Sequence, residues 1–218
     1  MWAQRQTLAT DPSEWLGGWH PLAAQLGSAD GLAALAELTA ALRVPPLADL
    51  AALRGFLRAY HERILGPVEL PAILRAFRHT EHFELRELIA FDVALGAEPA
   101  LAPLAAASRR VGRAHLETLR PLRDDRFVRR YLAAVEANQA AGWHVLVFGL
   151  TLSVYSLPLR QGLMHYAAQT VRGFIQMGVA GRNQDERACR QLFAEALGWA
   201  QGAMATALPV EPSLVASR

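Results

Sequence analysis

An all-α fold, a single-domain bundle of about ten helices, is what this sequence predicts, and three observations predict it. Runs of β-branched and aromatic residues alternating with period two are nearly absent, so strand signals are missing. Alanine and leucine dominate, and apolar residues recur at spacings of three and four from end to end. Proline and glycine punctuate short connectors, with no long linker and no internal repeat.

The elements follow in order. Ser28 caps a helix whose apolar stripe is Leu32, Leu35, Leu38 and Leu42. After Pro45 and Pro46 a second carries Leu50, Leu53, Leu57, Tyr60 and Ile64 and is expected to stop at Gly66-Pro67. Pro71 takes a first-turn position in a short helix through Ile73, Leu74 and Phe77. Thr80 is expected to cap the next, with Leu85, Leu88 and Ile89 on its apolar side. Pro99 or Pro103 opens a helix with Leu104, Ser108, Val111 and His115 on one side. Asp124 or Asp125 caps another, carrying Val128, Tyr131, Leu132 and Val135 and closed by Gly142. "WHVLVFGLTLSVYSL" is apolar on almost every side and predicts the central buried helix. Pro158 opens a long helix through Leu163, Ala167, Val171 and Phe174 that "AGRN" ends. Asn183, with Glu186 three residues on, caps the last, which carries Leu192, Phe193, Trp199 and Ala203.

Three segments result: 1–27, a docking segment; 28–208, the helical domain; and 209–218, a flexible tail. Trp15 and Trp19 frame Gly17-Gly18, a pairing too glycine-rich for a stable helix and too aromatic for an idle tail. No stretch has the length of apolar sequence that a bilayer demands, and "MWAQRQTLATDPSEW" lacks the pattern of a signal peptide. Cys189 is the one cysteine, which excludes an internal disulfide and fits a reducing cytoplasm. All 22 basic residues are arginines, yet the net charge is only +2, and no aromatics interleave with the cluster from Arg109 to Arg123. A nucleic-acid surface is not expected.

Familiar catalytic and nucleotide-binding motifs are absent. "RHTEHFELRELIAFD", residues 78–92, holds two histidines and four acids, but His79 and His82 lie one turn apart with no further ligand in sight, so no metal site is assigned. Asp92 falls seven residues after Leu85, which places a carboxylate on an apolar face. Such a group needs a partner, and Arg109 to Arg113 is the expected source of one. Ser108 and Gly112, four apart, predict a close helix contact. His115 and His144 are expected as hydrogen-bonded core histidines.

Three stretches together resemble the urease accessory protein UreF family. "LRGFLRAYHERILGPVELPAILRAFRH" is similar to that family's helix, turn and "D-L-P" segment, with Glu69 for the aspartate. "LIAFDVALGAEPALAPLAAASRRVGRAHL" looks like its "LD" helix and the "R-E-x-S-x-x-x-G-x-x-L" helix after it, with Asp92, Ser108, Gly112 and Leu116 on matching positions. "HVLVFGLTLSVYSLPLRQGLMHYAAQTVRGFIQMGV" resembles its buried "H-x-V-x-F-G" helix, carrying His144, Phe148 and Gly149, and the helix after its "G-L-P" turn, with Ser156 at the glycine. The resemblance covers roughly residues 30 to 207 and makes Asp92, Ser108, Arg109, Gly112, Arg113, His144, Phe148 and Gly149 structural residues. Both ends depart from the pattern: Gly17-Gly18-Trp19 represents the N-terminal motif, with Trp15 at its proline, and "VAGRNQ" leaves Val179, Arg182 and Gln184 of a longer one.

The resemblance implies a cytosolic, usually dimeric protein with neither catalytic site nor cofactor. It implies contacts with a UreD/UreH-type scaffold, the UreG GTPase and apo-urease, in the delivery of nickel. Partner contacts then fall at Trp15, Gly17, Gly18, Trp19, Arg182 and Gln184. The rival is an all-α enzyme or small-molecule binder whose polar site, between helices, is lined by Asp92, His115 and His144. A second rival binds nickel through His79 and His82.

Overall fold

A computed structural model describes residues 29–122, 125–179 and 185–207. Among them the chain is helical, with no strand, and its segments join into eight continuous rods where about ten were expected. α1 (Ala29–Ala41) is followed by α2 (Leu50–Tyr60), a π-helical segment (His61–Glu69) and α3 (Leu70–Glu81). Then come α4 (Leu85–Leu95), a 3-10 segment (Pro99–Leu104), α5 (Ala105–Thr118), α6 (Arg126–Glu136), α7 (His144–Val154), α8 (Leu159–Val179) and α9 (Glu186–Ala207).

The largest departure from expectation is at Gly66-Pro67, where the helix does not stop. Proline has no N–H, and its ring clashes with the carbonyl four residues back, which ordinarily breaks a helix. Here the backbone widens instead: the Leu70 N–H bonds to the Leu65 carbonyl, five residues back, and the rod runs unbroken from Leu50 to Glu81. Thr80 is likewise no cap. It is buried in the last turn of α3, where its hydroxyl donates to the Ala76 carbonyl at 2.8 Å.

The caps that do form are acidic. Asp49 accepts from the Ala52 N–H, and Asp125 from those of Phe127 and Val128. Asp185 accepts from the Arg187 N–H, so α9 begins from Asp185 rather than Asn183, which lies outside the described residues. α6 ends on the left-handed Asn138 (φ 56°), four residues before Gly142.

α7 is the centre of the bundle. Every residue from His144 to Leu152 is buried, as an all-round apolar helix must be. Its broadest packing is on α3 and its next broadest on α5. Gly149 permits the first: a Cβ there would fall on the Ile73 carbonyl and within 3.1 Å of the Phe77 nitrogen. Around this pair, Phe56 and Tyr60 of α2 meet Phe174 of α8 at ring separations of 4.9 and 4.6 Å, and Arg54 pairs with Glu195 of α9 at 3.1 Å.

The turn after α7 holds Ser156 at φ 51°, where the peptide N–H groups of Ser156 and Leu157 close back on the Ser153 and Leu152 carbonyls. Ser156→Gly is expected to raise stability by up to about 1 kcal/mol, because glycine adopts this conformation without steric strain. Gly149→Ala is expected to lower it by about 3 kcal/mol, since backbone rather than a movable side chain blocks the new methyl. Urea unfolding of the two variants measures both.

Candidate functional site

The residues from Ala140 to His144, which lead from α6 into the start of α7, draw together side chains from three helices, α4, α5 and α6. Asp92 of α4, 0 % exposed, is the focus. Its Oδ2 accepts from the Tyr131 hydroxyl at 2.6 Å and the Gly142 N–H at 3.0 Å, and its Oδ1 from the Ala141 N–H. This corrects the expected ion pair with Arg109 to Arg113. The carboxylate is satisfied by one hydroxyl and two peptide groups, and charge-assisted bonds of this kind are about twice as strong as neutral ones.

The arginines hold the outside of the same turn. Arg113 donates from Nε to the Ala141 carbonyl at 3.2 Å, and the Arg109 guanidinium lies over the Trp143 ring at 4.7 Å. Trp143 gives α7 no side-chain cap, so Ser108 of α5 supplies one: its Oγ accepts from the His144 N–H at 3.2 Å. A Cβ on Gly112 would collide with the Gly142 carbonyl and lie 2.7 Å from the His144 nitrogen. Gly142 itself is left-handed (φ 73°). The eight residues singled out in the sequence thus converge: six on this turn, and Phe148 and Gly149 on the helix it launches.

Behind the turn lies a buried polar file. The His144 ring, fully buried, sits 6.0 Å from His115 and 5.9 Å from both Phe148 and Tyr166. Thr151 donates its one hydroxyl proton to the Val147 carbonyl, so the 3.2 Å contact with His115 Nε2 makes that nitrogen the donor. Burial lowers the His115 pKa to about 4 and keeps the ring neutral. At the far end Tyr166 donates to Glu69 at 3.1 Å, and Tyr60 donates to it at 2.7 Å.

Glu69 is the residue that sequence reasoning undervalued. It closes the π-helical segment, is 2 % exposed, and burial pushes its pKa up to about 7 against the pull of the two hydroxyls. The signal available was its place within the "D-L-P"-like motif; the expected chain break at Gly66-Pro67 hid its partners.

His79 and His82 make no joint site. His79 has both ring nitrogens engaged, Nε2 by Arg75 at 3.2 Å and Nδ1 by Glu84 at 2.7 Å, while His82 is an exposed C-cap. Among the described residues no group of three or more histidine, cysteine or acidic residues is placed to hold a metal ion. Depressions of about 370 Å³ along α8, 550 Å³ beside α1, 250 Å³ between α8 and α9 and 220 Å³ beside Gly66 mark the described surface. None is lined by Asp92, His115 or His144. Trp15, Gly17, Gly18, Trp19, Arg182 and Gln184 lie outside the described residues.

Among known proteins, the sequence matches the UreF family over residues 47–197, well over half of the chain. No curated protein and no solved structure matches it.

Two predictions follow from the buried carboxylates. Asp92→Asn offers an amide where three donors converge, leaving at least one peptide N–H without an acceptor; a loss of about 3 kcal/mol in urea unfolding is expected, with the turn more open to amide hydrogen exchange. The second concerns pH. Glu69 keeps its proton in the folded state up to about 7 but releases it near its ordinary 4.5 when unfolded, so its contribution is full below 4.5 and is lost as pH rises through about 7. His115 acts oppositely: ordinarily 6.5, it stays neutral in the fold down to about 4, so its contribution is full above 6.5 and is lost as pH falls toward 4. Between 4.5 and 6.5 the two slopes oppose. Glu69→Gln removes one, and its stability is expected to climb by about 3 kcal/mol from pH 4 to 6.5, read from urea midpoints across that range.

Proposed function

The chain belongs to the UreF family and so takes a urease accessory role, and from that premise we propose that it acts through protein surfaces rather than chemistry. In this proposal it works in the cytoplasm as a homodimer, bridges a UreD/UreH-type scaffold and a UreG-type GTPase, modulates that GTPase, and so assists nickel delivery to apo-urease. The single observation that carries the proposal is the family match over residues 47–197.

The described body supports it. Asp92, the acid that a polar site between helices would draw on, already has both oxygens occupied by donors that hold the fold. His115 is neutral and tied to Thr151, and Glu69 is shut between two tyrosines. Polar groups spent on structure leave the exterior as the working part. No single helix among the described residues is long and apolar enough to cross a membrane; α4 and the rod Pro99–Thr118 pass the test only as a pair bent by 87°.

Partner contacts in this proposal fall on the segments that flank the body, 1–27 and 209–218, and on Arg182 and Gln184. Co-purification of the full chain with the scaffold protein and GTPase of the same genome is the test. A ternary complex is expected. Deleting residues 209–218 is expected to weaken scaffold capture by about tenfold while leaving the unfolding midpoint in place. Failure to capture either protein would overturn the bridging role, and capture unchanged by the deletion would overturn the place given to the tail.

A further inference from the structure

Of the depressions described above, the largest, of about 550 Å³, runs beside α1 and along the connector to α2. Leu35, Ala36, Thr39 and Ala40 share one side of α1 and form its floor, while Val44, Pro46, Leu47 and Ala48 form its wall. No described residue that lines it is charged. Even the Thr39 hydroxyl is engaged, donating to the Leu35 carbonyl at 2.6 Å. The depressions along α8 and between α8 and α9, by contrast, are lined with Arg160, Arg172 and Arg190.

The wall of this groove is fixed by the chain itself. Arg43 stands at φ 53° with its N–H bonded to the Ala40 carbonyl at 3.0 Å, and the Val44 N–H reaches the Thr39 carbonyl at 3.2 Å. Arg63, in the π-helical segment, donates to the Leu42 carbonyl at 2.7 Å. A left-handed residue at the end of α1 thus turns the connector aside, and three hydrogen bonds hold it there, so the groove is preformed. Ala36 and Ala40 are small and exposed, which leaves its floor low and suits large flat side chains above it.

We propose that this groove seats the Trp15–Trp19 segment of the same chain, which precedes α1 and lies outside the described residues. Trp15, Leu16, Gly17, Gly18 and Trp19 form an uncharged run, as the groove demands. The stretch after Ala207 carries Glu211 and no aromatic residue, and matches it less well. In extended chain Trp15, Gly17 and Trp19 point to one side, so the two indoles flank a gap where the backbone comes close. The connection has the right length. Gly27 and Ser28 allow a reversal just before Ala29. Pro21 to Leu26, in helical turns, return along α1 by about 9 Å, and two extended residues add about 7 Å. Trp19 then lies level with Ala40, roughly 16 Å along α1 from Ala29. Four more extended residues carry Trp15 about 13 Å further, to Val44, Pro46 and Leu47.

This deepens the reading above, on which it rests for Trp15 and Trp19 also meeting a partner: the same side chains cannot do both, so the groove withholds the segment until the scaffold takes it. A segment seated about nine-tenths of the time lowers the partner's apparent affinity about tenfold. Fluorine NMR of the full chain labelled with fluorotryptophan, assigned through Trp15→Phe and Trp19→Phe, tests the seat. Both signals are expected away from the position of free fluorotryptophan. Ala40→Arg fills the groove from an exposed position, and is expected to move both to the free position while those of Trp143 and Trp199 stay in place. Signals at the free position in the unaltered chain, or unmoved by Ala40→Arg, overturn the proposal. In a Cys189→Ser background, Gly17→Cys with Val44→Cys is expected to close a disulfide within one chain on mild oxidation. A disulfide between two chains, or one closed instead by Leu214→Cys with Val44→Cys, gives the groove to a second copy or to the tail and also overturns it. Ala40→Arg is expected to strengthen scaffold capture about tenfold, and unchanged capture overturns the competition. Scaffold captured by neither chain counts against the bridging role, while the fluorine signals report the seat separately.

Discussion

The close packing of α7 against α5 and α3 starts from a turn held by one buried carboxylate. Asp92 lies on α4, Tyr131 on α6, and Ala141 and Gly142 between α6 and α7, so its three hydrogen bonds join three parts of the chain that share no local sequence. A desolvated carboxylate is unfavourable by several kcal/mol unless its lone pairs are filled, and here peptide N–H groups fill them. Peptide groups are well suited to this because they are fixed by the chain. An arginine in that place would bring a long side chain to order and a second charge to bury.

The consequence runs down α7. Once Ala141 and Gly142 are fixed, the first residues of α7 are placed against α5, where Ser108 completes the helix end and Gly112 leaves room for the backbone. Four residues further on Phe148 reaches Tyr166, and Gly149 admits the backbone of α3. Two glycines and a serine matter because they are small. In each case the neighbour is main chain, which has no rotamer into which to retreat, so packing at these points is set by backbone position and hence by the turn.

Much of this was legible in the sequence, and the parts that were not share a cause. The all-α fold, the central place of His144 to Leu152 and the importance of Asp92 followed from apolar periodicity and from one acid on an apolar face. The partner of Asp92 did not, because a peptide N–H is offered by nearly every residue and leaves no mark in composition; the nearby arginines were visible and drew the assignment. Pro67 was read as a stop because the rule describes a four-residue hydrogen-bond register. A five-residue register evades the rule and moves Glu69 from a supposed turn into the core. Thr80 fits a helix start and a helix interior equally well, since its hydroxyl serves either, and only the tertiary fold decides.

Glu69 and Asp92 show how differently a core can treat two acids. Asp92 meets peptide dipoles anchored in a turn, whereas Glu69 meets only two tyrosine hydroxyls in an apolar layer with Phe56 and Phe174 close by. Its proton is accordingly held toward neutral pH.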